Sequence, residues 1–227
     1  RKQARAELAQ TRKEEKLLRE KQLYEQKLEI SRELHDNIGS QITYMISSMD
    51  NLTYTNSENE PMNHSIRNIS EFGRETMKDL RSTIWAMNTE DGSLNALVHK
   101  LEELRSKVQL PIDIQNNIAG NPELKATEML NLYRIIQEAI QNSLKYAEAS
   151  VIRILIDETD EGLKFEIADD GKGFDSALNS SGNGIMNMKH RSSKMNANLK
   201  ISSETGKGTS VVCILDRANV VLNMPGE

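Results

Sequence analysis

A histidine followed directly by a carboxylate stands in the run Ser31-Arg32-Glu33-Leu34-His35-Asp36-Asn37-Ile38-Gly39-Ser40-Gln41, at the edge of an apolar stripe. Imidazole is the side chain whose ring nitrogen is a competent nucleophile near neutral pH, and an adjacent carboxylate can orient the ring and take its proton as a new bond forms. His35 is therefore a candidate nucleophile and Asp36 a candidate general base. The other three histidines, His64, His99 and His190, have no evident acid-base partner in the sequence and are read as structural.

Four further groups lie downstream. Glu138 and Asn142 are four residues apart in a helical pattern, with Lys145 following, so they share a polar face of a helix whose apolar side carries Leu130, Ile136, Ile140 and Leu144. An amide oxygen such as that of Asn142 is a hard ligand that suits Mg²⁺, an ion that takes few protein ligands and completes its shell with water and phosphate oxygens. The run Asp169-Asp170-Gly171-Lys172-Gly173-Phe174 follows the alternating segment LKFEIA. An Asp at a strand end can accept a hydrogen bond from an exocyclic amine, and glycines beyond it let a ligand approach the backbone. Ser181-Gly182-Asn183-Gly184-Ile185 opens a helix whose first N–H groups could face an anion, but no parallel βαβ unit surrounds it, so it is not a dinucleotide fingerprint. Gly206-Lys207-Gly208-Thr209 leads into the last strand. Each group alone is ordinary turn or surface vocabulary.

The elements that must position these groups fall into two kinds. Residues 1 to 30 hold 9 basic and 6 acidic side chains with no Gly or Pro, and read as a long exposed helix with a thin stripe of Leu17, Tyr24 and Leu28. From there Leu34, Ile38, Ile42, Met45, Met49 and Leu52 repeat at steps of three and four. After the polar turn 55–61 a second helix carries Ile66, Ile69, Gly73, Met77, Leu80, Ile84 and Met87. Two such helices bury little alone, so a homodimeric four-helix bundle is expected. Beyond residue 93 the pattern predicts a helix from Leu94, a strand opened by Pro111 and a long helix over 123–147 introduced by Pro122. It continues with a hairpin of VIRILIDE and LKFEIAD, a helix from Ile185, and two closing strands. The fold class is α+β, a helical hairpin followed by an α/β sandwich with helices on one side of a largely antiparallel sheet.

Composition narrows the function classes. The chain has 227 residues and a net charge of −5, which excludes wholesale neutralisation of nucleic-acid phosphates, and only 4% aromatics, which argues against base-stacking platforms. One cysteine, Cys213, permits neither an internal disulfide nor a cysteine metal cluster, so a reducing, cytoplasmic location is expected. No run approaches the roughly 18 apolar residues of a membrane span, so no membrane contact is expected of this stretch. Opening on Arg1 without Met, the chain reads as part of something longer.

In order and in context, the four downstream groups resemble the ATP-binding fold shared by gyrase, Hsp90, MutL and histidine kinases, over residues 94 to 216. That resemblance implies ATP and Mg²⁺ as cofactors. Asn142 would hold the metal, Asp169 would read the adenine amine with Gly171 and Gly173 lining the base, and Thr209 would support that site. Gly182 and Gly184 would frame a lid over the phosphates, and Lys145 would be among the cofactor-binding residues. Glu138 matches the residue that activates water in the ATPase branches and helps organise the metal and phosphate end in the kinase branch. With such a fold downstream, Glu33-Leu34-His35-Asp36-Asn37-Ile38-Gly39 is similar to the phosphoacceptor motif of two-component sensor histidine kinases, in particular the nitrate- and desaturase-type sensors. The organisation implied is a signalling helix (1–30), a dimerisation and phosphoacceptor region (31–88), a hinge (89–93), an ATP-binding domain (94–218) and a tail (219–227). The partner implied is a response-regulator receiver domain, and the full-length protein is expected in the cell membrane behind an upstream sensor.

Two positions depart from the family pattern. The subfamily's phosphatase motif often reads H-D-x-x-x-Q, which would place Gln at position 40, where this chain has Ser40 with Gln41 beside it. One residue is about 100° on an α-helix, so Gln41 is not expected to take that role. Tyr146 stands where relatives commonly carry His. Two alternatives are an ATP-driven clamp in which His35 is incidental and a degenerate kinase acting as a coiled-coil scaffold.

Overall fold

Dense charge and the absence of Gly and Pro make the first segment one helix, α1 (Lys2–Glu33), largely exposed and carrying a Lys21–Glu25 ion pair at 3.8 Å. The computed structural model describes residues 2–55, 60–89, 92–175 and 183–216, and the chain divides into two units, Arg1–Asn88 and Thr89–Glu227. In the first unit α1 passes into a π-helical turn, Leu34–Gly39, and then into α2 (Ser40–Thr55). The antiparallel partner is α3 (Glu60–Asn88), with Pro61 in its first turn, where its missing N–H costs nothing.

Close approach of α2 and α3 depends on Gly73. A Cβ there would stand 2.9 Å from Ile46 Cγ1. Ile42 and Ile66 are buried along this seam. Asp50 fastens it by accepting from Ser70 Oγ at 2.6 Å and from Arg74 at 2.6 and 2.8 Å, donors that hold its carboxyl below the usual range. Near the other end, Asn88 Nδ2 donates to buried Ser31 Oγ at 2.7 Å, tying the end of α1 to the end of α3. The single stripe expected on each helix is in fact split. Ile42 and Ile66 face the hairpin seam, whereas Ile38 in the π turn, Met45 and Leu52 on α2, and Met62 and Ile69 on α3 remain exposed at steps of seven, Ile69 by 51%. Periodicity marks a residue as apolar but does not say which neighbour covers it.

The second unit begins with α4 (Leu94–Arg105), capped by Ser93 Oγ accepting from Ala96 N at 3.3 Å. Then follow β1 (Ile112–Asn116), α5 (Ala126–Asn142), a second π-helical turn (Ser143–Ala147), β2 (Ile152–Thr159), β3 (Gly162–Asp169), α6 (Asn183–Lys194), β4 (Asn198–Ser203) and β5 (Thr209–Asp216). The sheet order is β1-β2-β3-β5-β4, with β1 parallel to β2 and the other pairs antiparallel. Period-2 alternation in β2, β3 and β5 turns Ile152, Ile154, Ile156, Phe165, Ile167, Val211, Cys213 and Leu215 into the core, where they meet Leu97, Leu101, Met129, Leu132 and Ile136 of the helices. Burial pushes the Cys213 thiol up to about 12, so it is packing material.

The long helix starts at Ala126, three residues later than Pro122 suggests. Residues 122–124 are engaged in backbone bonds instead, Leu94 N to Pro122 O at 2.9 Å and Leu124 N to Gly92 O at 2.6 Å, and Glu128 then accepts from Lys125 N at 2.9 Å to begin the helix.

Asp170, just past β3, staples the start of β2. Its carboxylate accepts from Ser150 Oγ, from Val151 N at 3.0 Å and from Ser150 N at 2.8 Å, and these donors lower its pKa to about 2. A depressed carboxylate stabilises the fold above its unfolded value of 3.8, and that contribution disappears as pH falls through about 2. Thermal melting between pH 5 and pH 2 is expected to show a stability loss that Asp170→Ala removes from the acid limb, with a lower melting temperature for the variant at pH 7.

Candidate functional site

Register places the key carboxylate. Along β3, Asp169 is level with Ile152 on one side and Thr209 on the other, two residues beyond Ile167 on the same face. Its side chain therefore points toward the helical layer at the end of the sheet. Asp169 Oδ1 accepts from Gly171 N at 3.0 Å and from Thr209 N at 3.2 Å, while Oδ2 accepts from Ser143 Oγ at 2.7 Å.

Two glycines make this packing possible. At Gly208, with φ +79°, an added Cβ would lie 2.0 Å from the Asp169 carbonyl oxygen, and at Gly173, with φ +59°, it would lie 2.1 Å from the Glu204 carbonyl oxygen. No side chain fits either space, and both conformations favour glycine. Gly171 in turn abuts the carbonyl of Ala147, which accepts from Lys172 N at 2.7 Å, so the π turn after α5 rests directly on this loop. Ser203 Oγ, paired with Thr209 Oγ1 at 3.1 Å, accepts from Phe174 N at 2.9 Å and anchors the far side.

A cavity of about 740 Å³ opens above these groups, with Asp169, Gly173 and Thr209 at one end and Glu138, Asn142 and Gly184 at the other. Ile167, Met188, Ile201 and Val211 supply an apolar wall between them, a surface suited to a flat aromatic base. At Gly184 an added Cβ would be 2.2 Å from Glu138 Oε1, so the first turn of α6 sits directly against the Glu138 and Asn142 face. Among the described residues no group of three or more His, Cys, Asp or Glu could hold a metal by itself. An amide oxygen and one carboxylate do fit Mg²⁺, which keeps most of its shell as water and phosphate oxygens.

Six of the residues singled out in this unit therefore share one cavity. Gly171 supports it from behind, and Lys145 is not brought to it. Leu144, Lys145 and Tyr146 ride outward on the π turn, and of the three only Tyr146 lines the cavity. Gly182 lies outside the described residues. Ser143, buried beside Asp169, and Phe174, Ile185 and Met188 on the walls were not anticipated as site residues. A serine one position past Asn142, on the apolar side of the helix, was the available signal for the first of these.

In the first unit, His35 Nδ1 and Asp36 Oδ1 are 3.0 Å apart, and the His35 side chain is 67% exposed. A carboxylate can only accept, so Nδ1 carries a proton, and in the neutral ring Nε2 presents its lone pair away from Asp36. Ser40 Oγ donates to the Asp36 carbonyl across the π turn. The wide turn also changes the position of Gln41. Its hydrogen bonds reach one residue further than those of an α-helix, so six residues cover about the arc that five would, and Gln41 comes to roughly the azimuth expected of residue 40. The sequence-based expectation of a 100° displacement assumed an unbroken α-helix.

Comparison with known proteins matches residues 26–92 to a family described as histidine kinase and residues 127–219 to the histidine kinase-, DNA gyrase B- and HSP90-like ATPases. The chain is 29% identical over 195 residues to the sensor histidine kinase YxjM of Bacillus subtilis, covering 82% of this chain and 46% of that protein. It is 27% identical to LiaS of the same organism, covering 82% and 53%, and 26% identical to the nitrate/nitrite sensor protein NarX of Escherichia coli, covering 83% and 32%. The chain thus spans about half the length of these curated relatives, or less. Among solved structures, the histidine kinase domain of an Erythrobacter litoralis blue-light activated histidine kinase shares the fold with a TM-score of 0.50 at 13% identity, covering 78% of this chain and 97% of that one. The Acinetobacter baumannii histidine kinase AdeS does so with a TM-score of 0.51 at 14% identity, covering 81% and 98%.

Because the Gly208 and Gly206 backbones both have positive φ but only Gly208 is crowded, substitution at the two separates strain from collision. Gly208→Ala is expected to weaken ADP binding at least about tenfold, equivalent to about 1.4 kcal/mol, in a calorimetric titration, and Gly206→Ala to change it less than about threefold.

Proposed function

Because this chain belongs to the sensor histidine kinases, we propose that it transfers the γ-phosphoryl group of ATP to Nε2 of His35 and passes it on to an aspartate of a response-regulator receiver domain. The observation that carries this reading is the His35–Asp36 hydrogen bond at 3.0 Å, which leaves one ring nitrogen as an outward lone pair. An ATPase clamp would need no such pair.

The Nε2 lone pair attacks the γ-phosphorus in line, the bond to the bridging oxygen breaks, and ADP leaves with that electron pair. As the ring becomes cationic, its Nδ1 proton moves to Asp36, giving a neutral phosphoimidazole. Asp36 is thus the general base and the group that fixes the tautomer. At the nucleotide, Asp169 accepts from the adenine amine, Gly173 and Thr209 border the base, and Gly184 at the start of α6 borders the phosphate end. Asn142 and Glu138 would hold Mg²⁺, which neutralises phosphate charge when bound. Catalysis is then positioning and charge neutralisation, as in phosphoryl transfer generally.

The exposed rows Ile38, Met45, Leu52 and Met62, Ile69 support a homodimer. Their sevenfold spacing suits the seam of a four-helix bundle made with a second copy. Among the described residues no helix is long and apolar enough to cross a membrane. Attachment to a membrane sensor would come from sequence outside this chain.

The π turn supports a second activity. With Gln41 on the face of the helix that residue 40 would otherwise occupy, its amide is available to orient a water toward a phosphorylated receiver aspartate, so dephosphorylation is retained in spite of Ser40.

Incubation with γ-labelled ATP is expected to give acid-labile, alkali-stable label on the chain that His35→Gln abolishes, and Asp36→Asn is expected to slow labelling about 10²- to 10⁴-fold with ADP affinity unchanged. Phosphate release without label would replace the kinase by the clamp. Gln41→Ala is expected to slow loss of phosphate from a phosphorylated receiver about tenfold or more while autophosphorylation stays within about twofold, and Ser40→Ala to alter neither.

A further inference from the structure

We infer that Ser143 is a specificity-determining residue, which orients the acceptor-only carboxylate of Asp169 and so selects purines that carry a 6-amino group over those with a 6-oxo group. The inference rests on Asp169 being the group that meets the base.

Ser143 opens the π turn at the end of α5 and is 5% exposed. Its Oγ has two acceptors within reach, Asp169 Oδ2 at 2.7 Å and the Ala139 carbonyl at 3.1 Å. A hydroxyl has one proton to give. The shorter contact to a carboxylate is the stronger, so the proton goes to Asp169 and the bond back to the preceding turn is the weaker one.

Counting sites on the carboxylate shows what this does. Each oxygen offers about two lone-pair positions. Oδ1 already takes two N–H groups, from Gly171 and Thr209, so its capacity is filled. Oδ2 takes one O–H from Ser143 and keeps one position. Both Ser143 and Asp169 line the cavity, and the hydroxyl, having given its proton away, also shows lone pairs there. The edge therefore consists of acceptors. An exocyclic N–H satisfies it, whereas a carbonyl oxygen in the same place meets lone pairs and leaves polar groups unpaired, the kind of mismatch that discriminates strongly. Without the Ser143 hydroxyl, Oδ2 loses the donor that fixes its direction, and the carboxylate is steered from the Oδ1 side alone.

The test is calorimetric titration of wild type, Ser143→Ala and Asp169→Ala with ADP, with its analogue bearing hydrogen in place of the 6-amino group, and with IDP. Ser143→Ala is expected to weaken ADP about tenfold, about the strength of one hydrogen bond to a charged group, leave the 6-hydrogen analogue within about twofold, and narrow the preference for ADP over IDP. Equal weakening of ADP and the analogue would make Ser143 merely structural and overturn the inference, as would unchanged ADP binding. Ser143→Cys, which keeps the volume but donates weakly, is expected to lose the 6-amino advantage in the same direction, so a folding defect in the alanine variant would not hide the answer. Asp169→Ala separates the two levels. If the 6-amino advantage vanishes there but survives in both Ser143 variants, only the inference fails; if it survives Asp169→Ala as well, the assignment of Asp169 fails with it.

Discussion

Asp169 is held where backbone segments come closer than any Cβ allows, and the second unit is organised around that constraint. Its carbonyl is met by Gly208, and its Oδ1 collects N–H groups from Gly171 and Thr209 on two different segments. The end of α5 closes on the same point through Ser143 Oγ and the Ala147 carbonyl. A helix, a loop and two strands thus converge on one carboxylate, whose position is over-determined by hydrogen bonds from rigid elements. That is what a recognition group needs: the cost of ordering it falls on folding and not on binding.

Much of this is legible in the amino-acid sequence. Alternation in VIRILIDE and LKFEIAD specified a hairpin with an inward face, and the run beginning at Asp169 could only sit at the end of the second strand. The i,i+4 relation of Glu138 and Asn142 put both on one side of a helix, and both line the cavity. What escaped sequence reasoning escaped it for physical reasons. Lys145 is carried outward because a π turn starts at Ser143, and nothing in local propensity marks such a turn. The apolar rows of α2 and α3 divide between a seam and an open face because the pattern is blind to partners. Ser143 looks like helix filler until Asp169, 26 positions away, is brought against it.

Both helices that carry the proposed chemistry widen where those residues stand. One π turn contains His35 and Asp36, and the other begins immediately after Asn142. A π turn loosens the backbone ladder and packs less tightly than an α turn, so it persists where neighbours compensate. Gly39 against Met77 and Ala147 against Gly171 are such neighbours. In each case the extra residue re-aims the side chains that follow, which makes helix geometry as well as residue identity part of the site.

The open rows on α2 and α3 have a consequence for how the first unit behaves as a population. Its two helices share a narrow seam, closed by Gly73 and fastened by Asp50 with Ser70 and Arg74, while apolar side chains stay on the outside. Burial of those side chains by the proposed second copy would be linked to folding through mass action, so the free energy of unfolding would rise with the logarithm of protein concentration. The hairpin's persistence would then be a property of how many copies share a compartment, and dilution alone would loosen the helix on which His35 stands.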